Sequence, residues 1–205
     1  MHRMAGPVQP DPLVLATSSP RRLSLMREAG YRFTVQANEL IEPEPRHANM
    51  TPGAYAEAIA FFKAASVARQ HPAATILGAD TTTVIGDDVY SKPRDRAHAE
   101  QMLRRLSGTE HRVVTGVALF DPARNRRLMG HDITTIGFRQ LSDAQVAAYL
   151  DTGEWEGKAG AYGIQARGDA FVQSIAGSFS NVVGLPLELV ARLFDQWCSG
   201  RACGD

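Results

Sequence analysis

The chain has 205 residues, is 44% hydrophobic, and carries 22 basic against 22 acidic side chains. That is enough apolar content for one large or two-lobed core. The balanced charge argues against general nucleic-acid or membrane-surface binding, both of which draw on a basic excess. No apolar run approaches the ~20 residues that a bilayer span needs.

In chain order, residues 1–12 lack a long apolar h-region and read as a short, Pro-rich flexible tail. Leu13 to Thr17 is a buried strand. Ser18-Ser19-Pro20 opens a helix with Leu23, Met26 and Ala29 on one face, closed by Gly30. Arg32 to Gln36 alternates as a strand. Thr51-Pro52 starts a second helix, with Tyr55, Ile59 and Phe62 at helical spacing. Ala74 to Asp80 reads as a buried strand ending in a carboxylate. Thr81 to Tyr90 continues it, with a turn at Gly86-Asp87-Asp88. Asp95 caps a helix whose apolar face is Ala99, Met102, Leu103 and Leu106. His111 to Phe120 and Leu128 to Phe138 are two long strands joined by a polar loop. Ser142 caps a helix through Leu150. A glycine-rich stretch runs from Gly153 to Gly168. A strand at Phe171 to Ile175, a glycine-bearing loop and a helix from Pro186 complete the pattern. Interleaved helices and paired long strands predict a mixed α/β (α+β) fold. Residues 13–198 form a single domain in this reading, and 199–205 a C-terminal tail. Cys198 and Cys203 match neither a zinc clip nor a redox motif, and read as reduced thiols of a cytoplasmic protein.

Three segments carry chemistry. Ser19, Arg21 and Arg22 surround a helix N-terminus, where unpaired N–H groups and the helix dipole favour an anion. Guanidinium groups there add bidentate phosphate donors. Taken alone, the segment is better explained as an ordinary Ser-Pro helix start with solvated arginines. Asp80, after Gly78 and Ala79, is a carboxylate that water and a metal can reach, as phosphoryl transfer requires. Lys92, before Pro93, is either a phosphate contact or a solvated loop lysine. In Gly157-Lys158-Ala159-Gly160-Ala161-Tyr162-Gly163-Ile164-Gln165, small residues permit close backbone approach to a ligand. Lys158 can meet a phosphate there, and Gln165 can pair with a base edge; a plain flexible loop is the alternative. No complete P-loop, zincin or dinucleotide motif is present.

Together these segments resemble the Maf family of nucleoside triphosphate pyrophosphatases, over nearly the whole chain after the tail. The resemblance rests on LATSSPRRLSLMREAG, AIAFFKA, GADTTTVIGDDVYSKPRD, AEQMLRRLSGTEHRVVTGVAL, GKAGAYGIQ and GSFSNVVGLPLE. It implies a fold like that of inosine triphosphate pyrophosphatases: a long mixed sheet flanked by helices, in two lobes with a central cleft. Thr81 directly after Asp80, with the Lys158 to Gln165 loop, resembles the dTTP/UTP subgroup. The resemblance implies that Asp80 is catalytic and that Arg21, Thr81 and Gln165 discriminate substrates. It places phosphate contacts on Ser19, Arg22, Lys63, Lys92 and Lys158. A divalent cation, Mg²⁺ or Mn²⁺, falls to Asp80 and Glu42, with Glu39 and Glu44 as other candidates in ELIEPEP. Thr17 stands where the family usually has serine, and Ala166 where glycine is usual. The implied substrate is a nucleoside triphosphate and the implied assembly a homodimer, with no nucleic-acid or membrane partner. The implied role is removal of non-standard or excess pyrimidine nucleotides, linked to division arrest. A nucleotide-binding regulator of septum formation without catalysis is the alternative.

Overall fold

The computed structural model describes residues 6–38, 40, 50–86, 88–165 and 167–200. The candidate metal ligand Glu42, its neighbours Glu39 and Glu44, and Ala166 lie outside them.

Seven strands form one mixed sheet: β1 (Leu13–Ala16), β2 (Thr34–Gln36), β3 (Thr75–Ile85), β4 (Asp88–Tyr90), β5 (Glu110–Asp121), β6 (Arg126–Phe138) and β7 (Val172–Ala176). Their order is β2-β1-β3-β5-β6-β7, with β4 also paired to β3. β1 runs parallel to β2 and β3, and the other pairings are antiparallel. The mixed α/β class expected from the sequence is what the chain adopts.

The helices are α1 (Pro20–Glu28), α2 (Pro52–Ser66), α3 (Arg96–Leu106), α4 (Asp143–Leu150), α5 (Phe179–Val183) and α6 (Leu187–Ser199). Their starts follow local chemistry. Thr51 accepts the Ala54 N–H at 3.2 Å, Asp95 accepts the His98 N–H at 2.7 Å, and Ser142 forms a reciprocal capping box with Gln145. Ser19 is the N-cap of α1 but makes no side-chain capping bond; its own N–H donates to Thr17 Oγ1 at 3.1 Å.

Helix α2 covers one face of the sheet, and its buried face corrects the sequence expectation. Phe62 is half exposed, and the buried positions are Gly53, Ala56, Ile59, Ala60, Lys63 and Ala64. The reason lies beneath the helix. A Cβ on Gly78 would stand 2.1 Å from the Ala60 carbonyl oxygen, and one on Gly116 2.2 Å from the Ala56 carbonyl carbon. The helix rests on glycine backbone, so its contact face holds small residues, and aromatic rings turn to its flank.

The other face carries two apolar cores. One joins Leu13, Leu15 and Met26 to Leu77, Val117, Leu119, Phe194 and Trp197. The second joins Leu103, Leu106 and Val113 to Ile136, Phe138, Tyr149, Tyr162 and Phe171. Between them lies a buried polar belt. Thr115 Oγ1 donates to the Asn181 carbonyl at 3.1 Å, and Asn181 Nδ2 donates to the Val113 carbonyl at 3.0 Å and to Thr134 Oγ1 at 2.9 Å. These groups are sealed from water, so their mutual bonds offset the cost of desolvation.

Candidate active site

Asp80 is not at a strand end, as the sequence reading had it; it is the sixth residue of the eleven-residue β3. What brings it to the wall of a cleft is a gap in the neighbouring strands. On that edge β1 pairs with β3 only through Leu77, and β4 only from Thr83 onward. Among the described residues no strand therefore lies beside Gly78 to Thr82 on that edge, and the cleft forms there. It lies at the carboxyl end of β1, where α/β sheets commonly present a ligand site.

The pleat sends consecutive side chains to opposite sides. Asp80 lies opposite Gly116, on the α2 face, and its Oδ1 accepts a 2.6 Å hydrogen bond from Lys63 Nζ. Both groups are buried, at 6% and 5% exposure, so the pair is a desolvated ion pair rather than a surface one. Thr81 turns to the other face. Its Oγ1 lies 3.0 Å from Thr115 Oγ1 and 3.0 Å from Arg22 Nη2. Arg22 Nε also donates to the Gly184 carbonyl at 2.7 Å, so one guanidinium joins α1, β3 and the turn after α5.

The cleft has a volume of about 660 Å³, within the range of small-molecule sites. Ser19, Arg21, Arg22, Lys63, Asp80, Thr81, Lys92, Lys158 and Gln165 all line it. These are all of the candidate residues that lie within the described part of the chain, drawn from segments as far apart as residues 19 and 165. Lys158 donates to the Glu154 carbonyl. Its ammonium is held below its ordinary value, first by burial and then by the nearby Arg21 charge. Burial likewise lowers Arg21. Two cations crowded at a concave wall create the positive field that an anionic ligand relieves.

A family model described as Maf-like protein matches residues 12–197. The chain belongs to the Maf family. It is 45% identical over 185 residues to the dTTP/UTP pyrophosphatase of Symbiobacterium thermophilum, covering 90% of this chain and 93% of that protein. The dTTP/UTP pyrophosphatase of Pelotomaculum thermopropionicum is 43% identical over 183 residues, at 89% and 93% coverage. That of Myxococcus xanthus is 45% identical over 182 residues, at 88% and 90%. Among solved structures, a dITP/XTP pyrophosphatase from Mycobacterium abscessus aligns with TM-score 0.44 and 12% identity, covering 95% of this chain and 100% of that one.

Several lining groups of this Maf-family cleft escaped the sequence reading. Asn38 lines it and holds its own place by donating to the Ala16 carbonyl at 3.1 Å. Thr83 lines it too, as does Tyr162, which the sequence reading quoted within the glycine loop without giving it a role. Gly184, with φ +125°, turns the chain so that its carbonyl meets Arg22. Alternation along β3 could have flagged Thr83, two residues beyond Thr81. For Asn38 no sequence signal existed.

Proposed function

We propose that this chain is a nucleoside triphosphate pyrophosphatase that cleaves dTTP and UTP between the α- and β-phosphates. The observation that carries the reading is the convergence of Arg21, Lys63, Lys92 and Lys158 on one cleft beside Asp80. Relatives of 43–45% identity that bear the name dTTP/UTP pyrophosphatase support the substrate choice.

The cationic side chains bind and orient the triphosphate. Lys63 holds Asp80 Oδ1 through their 2.6 Å bond. That leaves the second carboxylate oxygen to orient a water and accept its proton. Thr81, held by Thr115 and Arg22, and the amide of Gln165 supply donors and acceptors for a uracil-type edge. The donor set also fits a divalent cation of the magnesium type. Among the described residues there is no group of three or more His, Cys, Asp or Glu that could cage a metal. Magnesium ordinarily takes one or two carboxylates and fills its shell with water and substrate phosphate. Asp80 would hold it, with Glu42 as the further ligand the family resemblance implies. When bound, such a cation supplies charge neutralisation along the phosphate chain. The resemblance further implies a cytoplasmic homodimer and a role in removing unwanted pyrimidine nucleotides. Sedimentation at micromolar concentration tests the assembly.

The deciding experiment incubates the protein with a nucleotide panel and measures pyrophosphate and orthophosphate separately, with and without EDTA. The expected outcome is pyrophosphate from dTTP and UTP in preference to purine triphosphates, abolished by chelator and restored by Mg²⁺ or Mn²⁺. Sequential release of orthophosphate would sink the α,β-cleavage. A purine triphosphate as best substrate would overturn the base assignment. Full activity in chelator would remove the metal.

A further inference from the structure

The loop from Gly157 to Gln165 brings Lys158 and Gln165 to the cleft, and its backbone turns sharply. Gly157, Gly160 and Ala161 all have positive φ, at 65°, 71° and 63°. Among the described residues its backbone bonds include Lys158 N–H to the Trp155 carbonyl at 3.3 Å, Gly160 N–H to the Ser91 carbonyl at 3.3 Å and Ala161 N–H to the Lys158 carbonyl at 3.1 Å. Three of its side chains are buried, Ala161 at 0%, Tyr162 at 6% and Ile164 at 5% exposure, and of these only Tyr162 carries a polar group. Tyr162, four residues after Lys158 and three before Gln165, is 6% exposed, and its hydroxyl lies 2.7 Å from His111 Nε2 on β5. His111 is 2% exposed. Its ring meets Phe138 edge-on at 4.8 Å and Tyr162 at 5.4 Å, while Tyr162 meets Phe138 at 4.7 Å. Nδ1 of His111 has no hydrogen-bond partner, so the Tyr162 hydroxyl is what anchors the ring by hydrogen bonding. Burial draws the imidazole down to about 4, so it is neutral at ordinary pH.

A buried polar group with a single partner contributes little to stability beyond that bond, and a phenylalanine would fill the same space. The position of the bond is what matters. It lies midway between Lys158 and Gln165, the polar side chains that the loop brings to the cleft, and ties them to the sheet that carries Asp80. We propose that His111 is a positioning residue: through Tyr162 it straps the glycine loop to β5 and presets Lys158 and Gln165 for the nucleotide. Without the strap, ordering the loop falls on the binding step and weakens affinity, while the chemistry at Asp80 is untouched. The consequence for KM rests on the nucleotide reading above; the strap itself does not.

The test uses Tyr162→Phe, His111→Phe and the double variant, with His111→Gln to restore a hydrogen-bonding group. Tyr162→Phe removes one oxygen and keeps the ring, so the fold is retained, which a thermal melt checks. Hydrogen exchange of peptides spanning 157–165, in the nucleotide-free protein, should rise about fivefold, the equivalent of one net hydrogen bond. KM for UTP should rise by about the same factor, with kcat little changed, and the double variant should be no worse than either single. His111→Gln should recover part of the loss. Unchanged loop exchange in folded Tyr162→Phe overturns the strap, as do losses that multiply in the double variant or fall on kcat alone. If the unaltered protein cleaves no triphosphate, the functional reading fails, and the exchange data still decide the strap.

Discussion

Asp80 and Lys63 form a pair that neither residue can leave without consequence. Judged from sequence alone, Asp80→Asn would remove a charge from a strand end and leave the fold intact. The structure places it mid-strand, against a buried ammonium at 2.6 Å. Removing one charge of a buried pair can cost about 3–5 kcal/mol. The asparagine amide oxygen still accepts from Lys63, so the expected destabilisation is smaller, a melt lower by a few degrees. Turnover should fall much further, by about 10²–10⁴-fold, because the amide neither accepts a proton nor holds a cation well. Nucleotide binding should survive, since Arg21, Lys92 and Lys158 still line the cleft. The measurements are kcat, a melt and a binding isotherm on the same sample. Near-normal turnover from a folded, binding variant would move catalysis away from Asp80, to Glu42 or its neighbours.

At the scale of elements, the contact between α2 and the sheet decides where Lys63 stands. Gly78 and Gly116 let the helix approach backbone to backbone. Gly78→Ala would drive a methyl into the Ala60 carbonyl, which no rotamer change can relieve. Overpacking of this kind costs about 1–3 kcal/mol and shifts the backbone. The expected result is a lower melt together with reduced kcat, because α2 carries Lys63 away from Asp80. An alanine variant with unaltered melt and turnover would show that the helix is not seated as tightly as described. This contact was only half legible in the sequence. The starts of α2, α3 and α4 were marked by Thr51, Asp95 and Ser142, side chains that cap locally. The buried face of α2 was legible at Ile59, which is buried, but not at Phe62, which is half exposed because the glycines beneath the helix admit mainly small residues. Helix α5 was read as loop: five residues, FSNVV, are too short for periodicity to register, and Ser178 caps them by accepting the Asn181 N–H.

Across the whole molecule, the cleft opens where two cores meet, and its walls come from both. Arg22 and Gly184 belong to the side of α1 and α6, whereas Tyr162 and the glycine loop pack with α3 and α4. A ligand touching both walls stabilises the folded state by linkage, about 2.7 kcal/mol at a concentration 100 times its Kd. For a chain of this size that corresponds to roughly 5–11 °C. A dTTP analogue with a non-cleavable α,β-bridge should produce such a shift, and Lys158→Ala should diminish it. No shift at saturating analogue would argue that nucleotide does not occupy this cleft. The convergence behind this prediction was legible only through family resemblance. Composition and periodicity indicate strands and helices, but not that residues near positions 20, 63, 80 and 160 share one cleft. That depends on β1 ending early beside β3, which no local pattern announces.

The adjacency of Asp80 and Thr81 has a consequence of its own. They are neighbours in the chain yet look out from opposite sides of β3, one toward Lys63 and the other toward Arg22 and Thr115. On the proposed roles of the two residues, pleating divides labour between turnover and choice of substrate. Substitutions beneath α2 should slow every nucleotide alike, whereas those around Thr115 should alter the ranking among nucleotides. A selectivity could therefore drift in evolution without disturbing the hydrolytic step. By the same geometry, one residue inserted in β3 ahead of Asp80 would exchange the two side chains between sides and abolish both roles at once.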